Sequence, residues 1–169
     1  MLGFFIHFIM VQIYTDGAAK GNPGRGGYGV VLISEKHNLV KEFSNGFRKT
    51  TNNRMELMAA IKGLYSLKSN KTEVTIYSDS KYVVDCVNKG WCFKWKKNGE
   101  LNILNVEHRT NADLWSLFID LYELHIVTME WIKGHNGNKY NEIADKLASS
   151  AALSDNLKID TYYEKFETK

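Results

Sequence analysis

The hydrophobic period of this chain changes partway along, and the change dictates the class of fold. Three runs, at 8–14, 28–33 and 39–47, read as strands with glycine-rich or polar turns between them, which predicts an antiparallel meander. From residue 53 the period becomes helical, with Leu57, Ala60, Ile61, Leu64 and Leu67 on one face of a segment spanning 53–68. A strand at 74–77, helices at about 80–87 and 112–124, a strand at 126–131 and a last helix at about 141–152 complete the pattern. Strands separated by helices pair in parallel through right-handed crossovers. The expected fold is therefore α/β, a five-stranded mixed sheet with three antiparallel strands followed by two parallel ones, and helices on both faces.

At 169 residues, 44% of them hydrophobic, the chain is long enough to bury one full core. That domain is placed at 11–153, between an apolar extension at 1–10 and a polar, partly ordered tail at 154–169 ending in YYEKFETK. The opening MLGFFIHFIMV is far shorter than the roughly 20 residues a membrane span needs, and it lacks the basic region and cleavage site of a leader. It reads as an extension of the first strand, with Met10 as an alternative start. Cys86 and Cys92 are too few and too close for a disulfide framework, which fits a reducing, cytoplasmic compartment. No membrane and no obligatory protein partner are implied, and a monomer is expected.

Four acids stand where a solvated role is not the only option. Asp16 closes the first apolar run ahead of Gly17, at the expected junction of strand and turn, and Asp79 repeats this after the strand at 74–77. Joined by Glu56 and Asp145 from helices, they would form an oxygen cage suited to Mg²⁺ or Mn²⁺. Each also has an ordinary reading. Asp16 suits a turn, Asp79 a helix cap, Glu56 a capping box with Asn53, and Asp145 the polar edge of its helix. His135, between Gly134 and Asn136, suits a solvated loop. The combination favours a site, because all four acids fall toward the one sheet edge where open α/β folds place ligands.

A net charge of +3 says little, but its distribution says more. KGWCFKWKK at 89–97 interleaves Lys89, Lys94, Lys96 and Lys97 with Trp91, Phe93 and Trp95, and contains no acid. Such a segment suits phosphates and bases, or equally a solvated amphipathic helix. Gly24, Gly26 and Gly29 have dinucleotide-fingerprint spacing, but a strand rather than a helix follows them, so they read as turn residues.

The blocks TDGAAKGNPGRGGYG at 15–29, TNNRMELMA at 51–59, YSDS at 77–80 and WIKGHNGNKYNEIADKLA at 131–148 resemble type 1 ribonuclease H, in order, over about residues 11–152. The resemblance implies a ribonuclease H-like catalytic domain that cleaves the RNA strand of an RNA/DNA hybrid and leaves 5′-phosphate and 3′-hydroxyl ends. It places Asp16, Glu56, Asp79 and Asp145 as ligands of two Mg²⁺ ions, with Mn²⁺ as a substitute, and His135 as a proton-transfer or product-release residue. It further implies that Asn22, Asn52 and Asn53 read the hybrid's minor groove and that Thr51 and Asn111 hold a DNA phosphate. Tyr82 and Trp95 would pack on DNA sugars, and Lys94, Lys96 and Lys97 would sit on a basic protrusion at about 89–109. Glu100 departs from relatives, which often carry an aromatic there. A related exonuclease would need Asp-x-Glu where this chain has Ala18, and a transposase-type domain would not need the asparagines. A non-catalytic hybrid binder would gain from losing the acids.

Overall fold

The computed structural model describes residues 10–168. Its sheet runs β3-β2-β1-β4-β5, with β1 (Met10–Lys20), β2 (Gly24–Ser34), β3 (Leu39–Thr50), β4 (Glu73–Ser78) and β5 (Ile126–Trp131). β1, β2 and β3 are antiparallel neighbours, while β4 pairs in parallel with both β1 and β5. The expected mixed sheet is therefore present, with β1 at the switch between its two halves.

Helices cover both faces. Ile13, Val30 and Leu32 point into the larger core with Leu57, Ile61 and Leu64 of α1 (Asn52–Tyr65). The same core takes in Val83 and Val87 of α2 (Lys81–Asn88) and Trp115 and Phe118 of α4 (Ala112–Tyr122), with the short α3 (Trp91–Lys97) between them. On the other face Tyr14 and Val31 pack against Ala144 of α5 (Lys139–Ala152). Alternate residues of one strand thus serve two layers. Among the described residues no helix is long and apolar enough to cross a membrane. The apolar extension expected before Met10 lies outside the described residues.

Three readings change. β1 does not end at Asp16 but continues to Lys20, because β2 begins at Gly24 and pairs along the whole stretch, Asp16 opposite Gly29 and Ala19 opposite Gly26. The glycines of GRGGYG are ladder residues, not turn residues. Gly27 and Gly29 are small because α5 lies directly on them, so that a methyl at Gly29 would collide with the Ala144 carbonyl oxygen, whereas one at Gly26 would meet Thr50 and Met55. The capping roles also fall elsewhere, since Thr51 caps α1 and Ser80 caps α2, leaving Glu56 and Asp79 without that duty.

The C-terminal segment is docked. Phe47 bridges to Lys158, Arg48 pairs with Glu164, and Asp160 and Tyr163 are buried. At the centre is Arg54 of α1, 1% exposed, which donates to both oxygens of Asp113 at 2.9 Å and both of Asp160 at 2.8 and 2.9 Å. Burial works against its charge, yet the Asp113 and Asp160 carboxylates hold its pKa above the ordinary value. Asp160 also accepts from Thr50 Oγ1 at 2.8 Å. Asp160→Ala should therefore cost about 3 kcal/mol in urea unfolding, because it leaves buried donors unmatched; a loss under about 1 kcal/mol would show that Asp113 suffices.

Candidate active site

Asp16 sits at the end of the sheet where both helical layers come closest to β1. Gly17 makes this possible on one side, since a methyl there would collide with the main chain of Met55 and Glu56. α1 therefore lies against the strand and delivers Glu56 beside Asp16. Gly29, directly opposite Asp16, lets α5 approach on the other side and bring Asp145 near enough to raise the Asp16 pKa. Asp79 follows β4, the parallel neighbour of β1. Its carbonyl accepts from Trp131 Nε1 at 3.1 Å, which ties it to the end of β5.

One oxygen from each of Asp16, Glu56 and Asp79 falls within 4.8 Å of the others. Asp145 lies at the edge of this cluster rather than inside it. Asp16 and Glu56 are each 5% exposed, and Glu56 Oε2 has no hydrogen-bond partner among the described residues. Burial, then Asp79 and a hydrogen bond with Asp145, push the Asp16 carboxyl up to about 8. Burial, Asp16 and Asp79 raise Glu56 well above its ordinary range. Burial also raises Asp79, although nearby His135 opposes this. Close, buried, underpaired oxygens fit hard divalent cations, whose charge removes the repulsion and satisfies the orphan oxygen.

His135 is exposed on the loop before α5, with φ +53, and lies close enough to Asp79 to affect it. The loop passes against Asp79 at Gly134, where any side chain would strike Oδ2.

The remaining predicted residues form a surface running away from the acids. Asn22 is exposed and its Oδ1 accepts from Asn52 N at 3.1 Å, so both lie together with exposed Asn53 at the start of α1. Thr51 Oγ1 caps the same helix through Arg54 N at 3.3 Å. Tyr82 is half-buried, its hydroxyl accepting from Trp115 Nε1 at 2.8 Å and Asn111 Nδ2 at 3.0 Å. The Asn111 side chain is spent internally, since Oδ1 accepts from Arg54 at 3.3 Å, and its main-chain N–H donates to Glu167 Oε1 at 2.6 Å.

The basic segment is helical, as one of its two readings expected. Trp95 stands edge-on to Trp115 at 6.0 Å and carries the Arg109 guanidinium at 4.8 Å. Glu100 pairs with Arg109 and so closes the base of the protrusion. Lys96 turns toward Asp120 and Glu123 at 3.5 and 3.4 Å, while Lys94 and Lys97 are exposed and form no ion pair among the described residues. With Trp91 and Trp95, Lys94 lines an open cavity of about 420 Å³. Sequence reasoning missed Arg54, Trp131 and Asp160. A charged helical residue ordinarily reads as solvated, and no local pattern pairs residue 54 with residue 160.

The carboxylates gather at the switch point of the mixed sheet, between its antiparallel and parallel halves. The sequence matches the family model for RNase H over residues 10–153. It is 53% identical over 154 residues to a ribonuclease H of Rippkaea orientalis, covering 91% of this chain and 92% of that one. With a ribonuclease H of Syntrophus aciditrophicus it shares 52% over 153 residues, covering 90% and 86%. Among solved structures, LC9-RNase H1, a type 1 RNase H with the type 2 active-site motif, superposes with TM-score 0.77 at 26% identity, covering 97% of this chain and 83% of that one. LC11-RNase H1 in complex with RNA/DNA hybrid gives 0.63 at 28%, covering 85% and 99%. The chain belongs to the RNase H family and is an endoribonuclease.

The raised carboxyl has a consequence for stability. Because the folded-state pKa of Asp16 is about 8 against an ordinary 3.8, its contribution is fully present below about pH 4 and is lost as pH rises through 8. In chelator, Asp16→Asn should melt above the parent at pH 8, with the difference shrinking toward pH 4. An equal or lower melting temperature at pH 8 would contradict the repulsion.

Proposed function

We propose that the protein hydrolyses the RNA strand of RNA/DNA hybrids at the carboxylate cluster, with two Mg²⁺ ions, leaving 5′-phosphate and 3′-hydroxyl ends. The observation that carries this reading is three ligand oxygens from Asp16, Glu56 and Asp79 within 4.8 Å, one of those carboxylates holding an unpartnered oxygen. The family membership and the hybrid complex of LC11-RNase H1 support the substrate. Mn²⁺ would serve the same ligands.

Asp16, between the layers, would hold both ions, with Asp145 helping toward the attacking water and Glu56 and Asp79 toward the leaving oxygen. The bound ions supply Lewis acidity, sharpening the water as nucleophile and neutralising charge on the leaving 3′ oxygen. In the reaction the bond from phosphorus to the 3′ oxygen breaks and one from phosphorus to the water oxygen forms. A proton leaves the water and one reaches the 3′ oxygen. His135, exposed on its loop beside Asp79, is placed to carry a proton or to assist product release.

Asn22, Asn52 and Asn53 form an amide cluster able to donate to and accept from 2′-hydroxyls in a minor groove. Thr51 and Asn111 flank a phosphate position on the DNA strand, and Tyr82 and Trp95 offer faces to its sugars. Lys94, Lys96 and Lys97 supply the phosphate contacts of the protrusion. We place this activity in a monomeric catalytic domain at 11–153 in the reducing cytoplasm, a setting that suits the buried free thiols Cys86 and Cys92.

Incubation with Mg²⁺ and labelled hybrid, duplex RNA and duplex DNA should give cleavage of the hybrid's RNA strand alone. Asp16→Asn or Asp79→Asn should retain less than about a tenth of the rate with the fold intact, and greater activity would contradict the metal assignment. In the protrusion, Lys94→Ala and Lys97→Ala should each lower the log–log salt slope of hybrid binding by about one. Lys96→Ala should do less, because Asp120 and Glu123 already engage that ammonium. Trp95→Ala should weaken binding at constant slope. Unchanged affinity and slope in a variant lacking all three lysines would leave the segment a solvated helix.

A further inference from the structure

The C-terminal segment places an acid where a nucleic-acid phosphate would fit. Glu167 Oε1 accepts from the main-chain N–H of Asn111 at 2.6 Å, and its other oxygen lies 3.9 Å from Arg54 Nη1. Thr51, His108, Arg109, Thr110 and Phe166 line the same open cavity, about 410 Å³ in volume, with Glu167 on its wall. Main-chain N–H, hydroxyl and cationic groups around one space form the kind of surroundings that hold phosphate oxygens.

Glu167 is not needed to neutralise Arg54. That guanidinium is already bound to both oxygens of Asp113 and of Asp160 at 2.8–2.9 Å. Glu167 is thus a third carboxylate around one cation. Burial comes first among the causes that raise its pKa, while the Asn111 N–H and Arg54 oppose it and Asp113 and Asp160 add to it. The tail is anchored independently through Asp160, through Arg48–Glu164 and through Tyr162, whose hydroxyl meets His108 Nε2 at 2.8 Å. Thr51 caps α1, and Glu56 follows five residues later, about 8 Å along the helix axis. A phosphate in this cavity would belong to the DNA strand of a hybrid whose RNA strand passes the acid cluster.

We propose that the C-terminal segment is an autoinhibitory strap, in which Glu167, on the wall of this cavity, covers the Asn111 N–H and must be displaced by a backbone phosphate of the substrate. This rests on the proposed hybrid substrate. Release requires only the residues after Glu164 to shift, since the anchors at Asp160, Tyr162 and Glu164 precede them. Basal affinity for hybrid is accordingly held below what the site would give without the strap.

The test compares the full-length parent with Glu167→Gln and Glu167→Ala on labelled hybrid with Mg²⁺. Expected are a KM several-fold lower in both variants, kcat within about twofold, and a salt slope of binding steeper by about one, as one more phosphate is engaged. The melting temperature should be close to that of the parent, and the Asn111 amide should shift in NMR spectra when inorganic phosphate is added to the variants but not to the parent. An unchanged or raised KM in folded variants, with the parent cleaving hybrid normally, would overturn the strap alone. A parent that neither binds nor cleaves hybrid would remove the substrate reading and the strap with it.

Discussion

The close approach of two helix backbones to one level of the sheet is the constraint from which the site follows. α1 lies against Gly17 and α5 against Gly29, so neither strand carries side-chain bulk between sheet and helix beside Asp16. Helices packing over ordinary side chains stand about 10 Å from a sheet, too far for short carboxylates to meet. Here the glycines remove that spacer on both faces at one level of the sheet. Glu56 and Asp145 arrive from opposite layers, while Asp79 comes from the neighbouring parallel strand. The resulting crowding is unfavourable for the folded chain alone, as the raised carboxyls of Asp16 and Glu56 express. Stability is given up where cations are to bind.

Much of this was legible in the sequence, because periodicity reports burial directly. The β5 run at 126–131 and the apolar face of α1 match their predicted extents closely. The continuation of β1 past Asp16 was not, because Gly17, Ala18 and Ala19 carry none of the branched side chains that mark a strand. Their identity is set by helix contacts on either face, a tertiary demand that local pattern does not encode. The same demand disguised Gly26 and Gly29 as a turn.

The four acids were recognisable from their blocks, yet Asp145 stands at the rim rather than in the tight group of three. The Arg54 network was invisible for a different reason: its partners are 59 and 106 residues away, and nothing in TNNRMELMA distinguishes a buried arginine from a solvated one. The network ties the start of α1, where Asn22 and Asn52 meet, to the C-terminal segment through Asp160. Asn111 is engaged through both its side chain and its main chain. Its side chain braces Arg54 and Tyr82, and the main-chain N–H is the group left to meet an anion.

The central claim is that the repelling oxygens of Asp16, Glu56, Asp79 and Asp145 are a divalent-cation site. Anomalous diffraction from crystals of the protein with hybrid and Mn²⁺ tests it directly. The account predicts Mn²⁺ peaks ligated by Asp16, with Glu56, Asp79 and Asp145 completing the set beside the RNA strand. Hybrid bound along this face with no Mn²⁺ signal at Asp16 would contradict it.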